Sequence, residues 1–376
     1  MAKDVAELAR PSIFRIRPYV PGKPIEEVER ELGIRSQDLI KLASNENPAG
    51  PSPLAVAAMC REARRTNLYP DSQCYELKRA LADHLGVTPG HIIVGNGSDE
   101  VLKIITEAFL NPGEEVVYGA PTFAEYEFAA RVMDGKTVEV PLRGQTYDLE
   151  AMAGRVTGRT KLVIICNPNN PTGTIVGREE VERFLRRMPE QVLTVFDEAY
   201  FDYVTSQDFP DTLEYVRQGR RVVVLRTFSK IYALAGLRVG YGVADPEIID
   251  CLMRVREPFN VNSLAQAAAL ASLADCGHRE RARQANIEGR DYLYRELGEI
   301  GLEFTPTQAN FIFIRLPVPG MEVFEALLRR GVIVRPCQSF GCPEHIRVTI
   351  GTGEQNRRFI DALRLVLADT AAEGKR

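Results

Sequence analysis

The chain has 376 residues, of which 45% are hydrophobic and 26% charged, as in an ordinary soluble protein with two or three domains. The net charge of −4 gives no electrostatic footprint for nucleic acid or for an anionic membrane. The seven cysteines contain no CxxC pair and the four histidines are scattered, which excludes a disulfide framework and a typical zinc site. We therefore predict no metal.

The N-terminal residues 1–10 alternate charged and apolar side chains and lack the continuous apolar stretch of a secretory signal. No run in the sequence approaches the roughly 20 apolar residues that span a bilayer. Together with the unpaired cysteines, these features predict a cytoplasmic protein.

The chain begins with a stretch, residues 11–24, whose four prolines predict an extended arm. A helix is expected over residues 25–32, ending at Gly33. Residues 44–53 are rich in Asn, Pro and Gly and are typical of a loop.

After this loop, short apolar runs alternate with turn residues and helical patterns. Four runs stand out: residues 91–94, 161–166, 191–196 and 221–226. They are apolar along their whole length, which predicts central strands of a parallel sheet that is covered on both faces. The fold class is therefore α/β with a mostly parallel central sheet in a large domain.

The pattern changes near residue 262. An Ala-rich helix and a long charged helix are followed by strand candidates at residues 311–315 and 346–350 and by two further helices. This composition predicts a smaller α+β domain. The predicted organisation is an N-terminal arm over 1–43 that joins the small domain or a dimer contact, a large domain over 44–262 and a small domain over 263–376.

Unusual residues follow the four apolar runs, at the strand ends where open α/β sheets bind ligands. After the first run, Gly97 and Ser98 open a helix whose free N–H groups favour an anion. The alternative is a tight turn in which Ser98 or Asp99 is only the N-cap of that helix. The spacing GxGxxG of a dinucleotide-binding turn is absent.

Two ionisable residues follow the next strand ends. Asp197 ends an apolar run, and a buried carboxylate there needs a partner such as a cationic ring nitrogen. Lys230 follows another strand, and an unprotonated lysine amine forms Schiff bases. The plain alternatives are a helix N-cap for Asp197 and a solvated surface lysine for Lys230.

Arg238 and Asn170 complete the set of candidates at these strand ends. Arg238 lies between glycines and apolar residues, so we expect it to be partly buried and to need an anion. Asn170 precedes Pro171 in a turn and offers an amide to a ligand oxygen, although a simple Pro-Gly turn explains the same residues.

The chain resembles the fold-type I aminotransferases that depend on pyridoxal phosphate (PLP). The resemblance is carried by four segments in this order along the chain: Asn170 to Gly173, Asp197 with Tyr200, Ser229-Lys230 and Arg238. Further segments are similar to the histidinol-phosphate aminotransferase family, and the similarity runs from about residue 14 to 367. These segments are residues 17–23, 43–48, 69–71, 95–100 and 258–262.

The resemblance implies roles for the residues around the cofactor. Lys230 binds PLP as a Schiff base and moves the proton of the substrate, and Asp197 pairs with the pyridine nitrogen. Asn170 and Tyr200 bond to the ring oxygen, and Phe123 stacks on the ring. Many relatives have Tyr in place of Phe123, so a substrate contact through that hydroxyl is in question here.

The resemblance also implies a phosphate site and a homodimer. The phosphate site comprises Gly97, Ser98, Asp99, Ser229 and Arg238, with Thr227 as a weaker candidate. Tyr69 reaches the PLP phosphate of the partner subunit, although a tyrosine that packs at a helix end explains the same residue.

The substrates require anion-binding arginines that accept either a carboxylate or a phosphate. By resemblance, Arg347 anchors the α-carboxylate, Arg335 helps to bind the distal anion, and Tyr19 and Asn310 lie near the substrate. For each arginine the commoner alternative is a surface ion pair.

The expected reaction converts histidinol phosphate and 2-oxoglutarate into imidazole acetol phosphate and glutamate, by ping-pong kinetics. Two other activities stay open, namely transamination of aromatic amino acids and decarboxylation of threonine phosphate. A PLP-binding transcription regulator would need a basic DNA-binding region, and the roughly forty residues before Ser44 do not provide one.

Overall fold

The computed structural model describes residues 5–16, 18 and 24–373. The strands are β1 Ile40–Lys41, β2 Ile92–Gly95, β3 Glu115–Ala120, β4 Lys136–Pro141, β5 Thr160–Cys166, β6 Leu193–Asp197, β7 Val222–Thr227, β8 Gly240–Ala244, β9 Phe304–Thr305, β10 Phe311–Arg315, β11 Val332–Ile333, β12 Arg335–Pro336 and β13 His345–Thr349.

The α-helices are α1 Val5–Leu8, α2 Ile25–Leu32, α3 Pro53–Glu62, α4 Tyr75–Leu85, α5 Ser98–Phe109, α6 Glu125–Val132, α7 Leu149–Gly154, α8 Arg178–Arg187, α9 Thr212–Arg217, α10 Pro246–Val255, α11 Ser263–Ala274, α12 Cys276–Ile300, α13 Gly320–Leu328 and α14 Gly353–Glu373. Short 3-10 turns lie at Pro11–Arg15, Ser36–Asp38, Ala63–Arg65, Pro89–His91, Phe201–Tyr203, Ala235–Leu237 and Gln338–Phe340. No helix within the described ranges is long and apolar enough to cross a membrane.

The large sheet has the strand order β2-β8-β7-β6-β5-β3-β4. From β7 to β4 every neighbouring pair is parallel. The central strands are buried on both faces, and Leu162, Val163 and Ile164 of β5 have no exposed surface. A strand that is covered on both sides needs apolar residues at every position, which explains the continuous runs. The predicted mostly parallel α/β sheet is confirmed.

The prediction for residues 91–94 is wrong in one respect, because β2 is an edge strand rather than a central strand. It pairs only with β8, and that pairing is antiparallel. Helices α4, α5 and α10 cover β2, so it is apolar throughout and its sequence does not reveal its position. Since β8 is also antiparallel to β7, β2 points in the same direction as the parallel strands. Its carboxyl end therefore still reaches the edge where the other predicted residues lie.

The small sheet has the order β12-β13-β10-β9, and all of its pairs are antiparallel. Its register places Arg335 of β12 opposite Arg347 of β13. The two predicted strands near residues 311–315 and 346–350 correspond to β10 and β13. Beside this sheet, β1 pairs in parallel with β11, which connects residues 40–41 to the small domain.

The buried apolar residues form two clusters. The first surrounds the large sheet and includes Ala265 of α11 and Ala282 of α12. The second surrounds the small sheet and includes Val28 and Leu293. Helix α12 thus contributes to both cores, and after it Ala309 and Phe311 still pack with the first. The segment around Val28 packs with the second core.

Candidate active site

A cavity of about 250 Å³ lies where the carboxyl ends of β5, β6 and β7 face the small domain. Most of the site residues that the sequence predicts line this one cavity. They are Ser98, Asp99, Phe123, Asn170, Asp197, Tyr200, Thr227, Ser229, Lys230, Arg238, Arg335 and Arg347. Gly97 directly precedes the first of these residues.

At the floor of the cavity, Asp197 is a buried carboxylate that has no positive partner in hydrogen-bond contact among the residues that the structure describes. Its Oδ2 accepts a hydrogen bond of 2.7 Å from the hydroxyl of Tyr126, and its Oδ1 accepts one of 3.1 Å from the N–H of Ala199. Burial raises the pKa of Asp197 to about 6, although these hydrogen bonds oppose the rise. The carboxylate is therefore fixed in direction and still suited to pairing with a cation.

Lys230 projects into the same cavity from the turn after β7. Its Nζ lies 3.4 Å from the backbone oxygen of Ser44 and 5.6 Å from the centre of the Tyr200 ring. Burial and the nearby charge of Arg347 lower the pKa of Lys230 to about 8, against the opposing effect of Asp99. About a tenth of this amine is thus unprotonated at pH 7, far more than for an ordinary lysine, and the unprotonated form acts as a nucleophile.

Tyr200 is held by the segment that precedes α3. The Asn45 side chain donates a hydrogen bond of 2.9 Å to the hydroxyl of Tyr200, and Asn310 donates one of 3.0 Å to the backbone oxygen of Asn45. Burial raises the pKa of Tyr200. Asn310 does not line the cavity. It reaches Tyr200 indirectly, through Asn45. The structure therefore places this predicted substrate residue one layer behind the site.

The opposite end of the cavity is suited to an anion. Helix α5 begins at Ser98, so its first N–H groups face the cavity. Gly97 has φ of +85°, and a Cβ on Gly240 would lie 2.4 Å from the backbone nitrogen of Ser98. Both glycines are thus required for this close turn. The N-cap is Gly97, so the alternative in which Ser98 or Asp99 caps the helix is wrong.

Arg238 approaches the same end from the other side. Its guanidinium donates a hydrogen bond of 3.0 Å to the carboxylate of Asp99, and both side chains are about half exposed. Nearby, the N–H of Ser229 donates to the hydroxyl oxygen of Thr227 at 3.0 Å. Backbone N–H groups, hydroxyls and a guanidinium therefore line the same cavity.

Arg335 and Arg347 form the wall that the small domain contributes. Both are buried, with 8% and 6% of their surface exposed. Arg347 donates hydrogen bonds to the side-chain oxygen of Asn170 and to the backbone oxygen of Ala43. Both of these acceptors are neutral, and the guanidinium is buried rather than at the surface.

Two predicted residues lie apart from the cavity. Tyr69 is 83% exposed and stacks on Phe259 with ring centres 4.8 Å apart. Tyr19 lies outside the described residues. Tyr69 therefore does not contribute to the site of its own chain.

Sequence reasoning missed Asn45 and Tyr126 as members of the site. Asn45 lies within residues 43–48, which are similar to the family, and this similarity was the one indication that Asn45 belongs to the site. Tyr126 lies in α6 and contacts Asp197 across 71 residues of sequence, and no local pattern marks it. Among the described residues no group of three or more His, Cys, Asp or Glu side chains is arranged to hold a metal ion.

The comparison to known families agrees with the features described above. These are the parallel sheet, the lysine and aspartate at its strand ends, and the arginine wall. The family described as aminotransferase class I and II matches residues 37–363. The chain belongs to this family.

Individual relatives show which members of this family the chain is similar to. A histidinol-phosphate aminotransferase from Moorella thermoacetica is 58% identical over 96% of this chain and 93% of its own length. One from Symbiobacterium thermophilum is 47% identical over 96% and 99%. The solved histidinol-phosphate aminotransferase from Sinorhizobium meliloti, in complex with pyridoxal-5'-phosphate, has a TM-score of 0.87 and 27% identity over 96% and 97% of the two chains.

Proposed function

We propose that the protein is a PLP-dependent transaminase that converts histidinol phosphate and 2-oxoglutarate into imidazole acetol phosphate and glutamate. The observation that carries this proposal is the placement of Lys230 between the buried carboxylate of Asp197 and the arginines of the small domain, in one cavity. Curated relatives with 44–58% identity that carry the name histidinol-phosphate aminotransferase support the choice of substrate.

The residues present fit the cofactor. Asp197 is buried with a raised pKa and supplies the negative partner that a pyridinium nitrogen needs. The glycine cradle and the start of α5 supply N–H donors for a phosphate, together with Ser229 and Arg238. Asn170 and Tyr200 would bond to the ring oxygen, and Phe123 would cover the ring face. When bound, PLP supplies an electron sink that stabilises negative charge at the substrate's α-carbon.

Lys230 holds and moves the proton in this proposal. Because its pKa is lowered to about 8, Nζ can lose and regain a proton near neutral pH. The backbone oxygen of Ser44 and the Tyr200 ring restrict the position of Nζ. A positioned acid–base group of this kind contributes roughly 10²–10⁴-fold to the rate.

Arg335 and Arg347 bind the substrate anions. Glutamate presents two carboxylates, whereas histidinol phosphate presents a phosphate, and a guanidinium accepts either with paired hydrogen bonds. Asn170 and Ala43 fix the direction of Arg347. Asn310 supports the site from behind, and we retain Tyr19 as a substrate contact proposed from the sequence.

We also propose a cytoplasmic homodimer in which Tyr69 completes the phosphate site of the partner subunit. The exposure of Tyr69 and of its stacking partner Phe259 supports this role, since large exposed aromatic residues are frequent at interfaces. The proposed chain organisation is the arm over 1–43, the large domain over 44–262 and the small domain over 263–376, with α12 contributing to both cores.

A panel of half-reactions tests the proposed function. The PLP form is mixed separately with histidinol phosphate, phenylalanine, tyrosine and threonine phosphate, and the visible absorbance of the cofactor is followed. We expect histidinol phosphate to react fastest. If phenylalanine reacts equally fast, the protein is an aromatic transaminase, and release of carbon dioxide from threonine phosphate would instead identify a decarboxylase.

A further inference from the structure

A second cavity of about 230 Å³ adjoins the active-site cavity. The two cavities share Phe123 and Arg335, so they meet at these two side chains. Phe128 and Phe340 supply apolar walls, and Glu125 contributes a carboxylate. Since one water occupies roughly 30 Å³ in the liquid, the volume is sufficient for a five-membered ring.

Glu125 is the unusual member of this side cavity. It is part-buried at the start of α6, and it forms no hydrogen bond or ion pair with the residues that the structure describes. Burial, and then the charge of Asp99, raise the pKa of Glu125. By contrast, Glu127 in the same helical turn accepts a hydrogen bond of 2.6 Å from Arg131. A partly desolvated carboxylate without a donor favours a ligand that brings one.

We propose that the side cavity binds the imidazole ring of the substrate and that Glu125 accepts a hydrogen bond from a ring N–H. This inference rests on the proposed function, in which the α-amine lies at Lys230 and the phosphate lies at Arg335 and Arg347. Glu127 and Arg131 also line the side cavity, but they pair with each other. The carboxylate of Glu125 attracts an imidazole or imidazolium, so the ring enters the side cavity while the phosphate stays at Arg335 and Arg347. The phenylalanine walls fit the faces of an aromatic ring.

The arrangement gives selectivity between similar substrates. A phenyl ring fits the same walls but has no N–H, so it leaves Glu125 without a partner. The γ-carboxylate of glutamate gains nothing from Glu125 and is repelled by its charge. Removal of that charge should therefore slow the half-reaction of histidinol phosphate without slowing that of glutamate, which a general loss of structure would not do.

The test compares Glu125→Gln with the wild type and with Glu179→Gln. Glu179 is an exposed glutamate in the first turn of α8, outside both cavities, so the control makes the same charge change at a similar helical position. Single-turnover half-reactions with histidinol phosphate, phenylalanine and glutamate are measured on the PLP-loaded enzymes. We expect Glu125→Gln to lower kcat/KM for histidinol phosphate about 10-fold or more and to leave glutamate equal or faster. The control should match the wild type on all three substrates.

A binding measurement supplies a second readout. In the Lys230→Ala background, which cannot turn over, calorimetry should show weaker binding of histidinol phosphate when Glu125→Gln is added. An unchanged ratio of histidinol phosphate to phenylalanine, or an equal loss on all three substrates, overturns the role of Glu125 and leaves the proposed function intact. If the wild type itself reacts no faster with histidinol phosphate than with phenylalanine, both proposals fail together.

Discussion

At the scale of single residues, the properties of Lys230 follow from where the fold places it. The amine is part-buried and shares its cavity with Arg347, and both circumstances disfavour a positive charge on Nζ. An ordinary lysine has a pKa near 10.4, so it is almost fully protonated at neutral pH. The same placement that restricts Nζ to the ligand cavity therefore makes it reactive.

The first prediction concerns the titration of Lys230. In the cofactor-free protein, the rate of its acetylation should rise with a midpoint near pH 8, because burial and Arg347 lower its pKa to about 8. Peptide mass spectrometry after brief labelling at a series of pH values measures this midpoint, with the exposed Lys136 as internal reference. Arg347→Gln should move the midpoint upward. A midpoint near 10 in the wild type would contradict the prediction.

The second prediction concerns the stability cost of Asp197. Its folded-state pKa of about 6 exceeds the ordinary value of 3.8, so the native state becomes less stable as pH rises between these values. Asp197→Asn should therefore stabilise the cofactor-free protein by up to about 3 kcal/mol at pH 8 and change little at pH 3.5. The asparagine side chain in this variant keeps an oxygen that accepts from the N–H of Ala199, and its nitrogen can donate to the hydroxyl of Tyr126.

Urea unfolding of the two proteins at both pH values measures this difference. Transaminase activity of Asp197→Asn should fall sharply, since the pyridinium partner is removed. A variant that is less stable than the wild type at pH 8 would show that the carboxylate is not destabilising in the native state.

At the scale of elements, the sequence predicted the strands well where burial alone decides their composition. Residues 162–166, for example, are apolar throughout because both faces of β5 are covered. The edge position of β2 could not be predicted, since α4, α5 and α10 impose the same composition on an edge strand. Site residues at strand ends were predictable for a related reason, because parallel strands deliver their carboxyl ends to one edge.

Residues that reach the site through tertiary contacts were not predictable in this way. Asn45 contacts Tyr200 across 155 residues of sequence, and Tyr126 contacts Asp197 across 71. Nothing in the sequence around either residue specifies its partner. The contact of Asn310 with the backbone of Asn45 spans 265 residues of sequence, so it too could not be predicted from the residues around it.

The third prediction concerns the connection between β6 and β7. Directly after β6, Glu198 forms a buried ion pair of 2.8 Å with Arg226 of β7 and accepts a hydrogen bond from Thr212. Glu198→Leu should cost about 3–5 kcal/mol, because it leaves the Arg226 charge buried without this partner. The double variant Glu198→Leu with Arg226→Met should recover most of the loss. Urea unfolding checks both, and a double variant as unstable as the sum of the single variants would contradict the prediction.

At the scale of the whole molecule, the short segment at residues 43–45 connects the two domains at the cavity. The backbone oxygen of Ala43 accepts from Arg347 of the small domain, and the Asn45 side chain donates to Tyr200 of the large domain. The backbone oxygen of Ser44 lies between them, beside Lys230. A shift of the small domain relative to the large sheet would therefore change the surroundings of the reactive amine and the anion wall together.

The last prediction tests whether the active site is shared between subunits. Tyr69 is exposed and remote from its own cavity, so if it serves the partner, mixing inactive Lys230→Ala with impaired Tyr69→Ala should restore activity. Random exchange makes about half of the dimers mixed, each with one intact site, so the mixture should reach about a quarter of wild-type activity. Subunits are exchanged in mild urea, and the mixed dimer is isolated with two affinity tags. Re-paired homodimers of each variant serve as controls. Activity no higher than that of these controls would show that Tyr69 does not act across the interface.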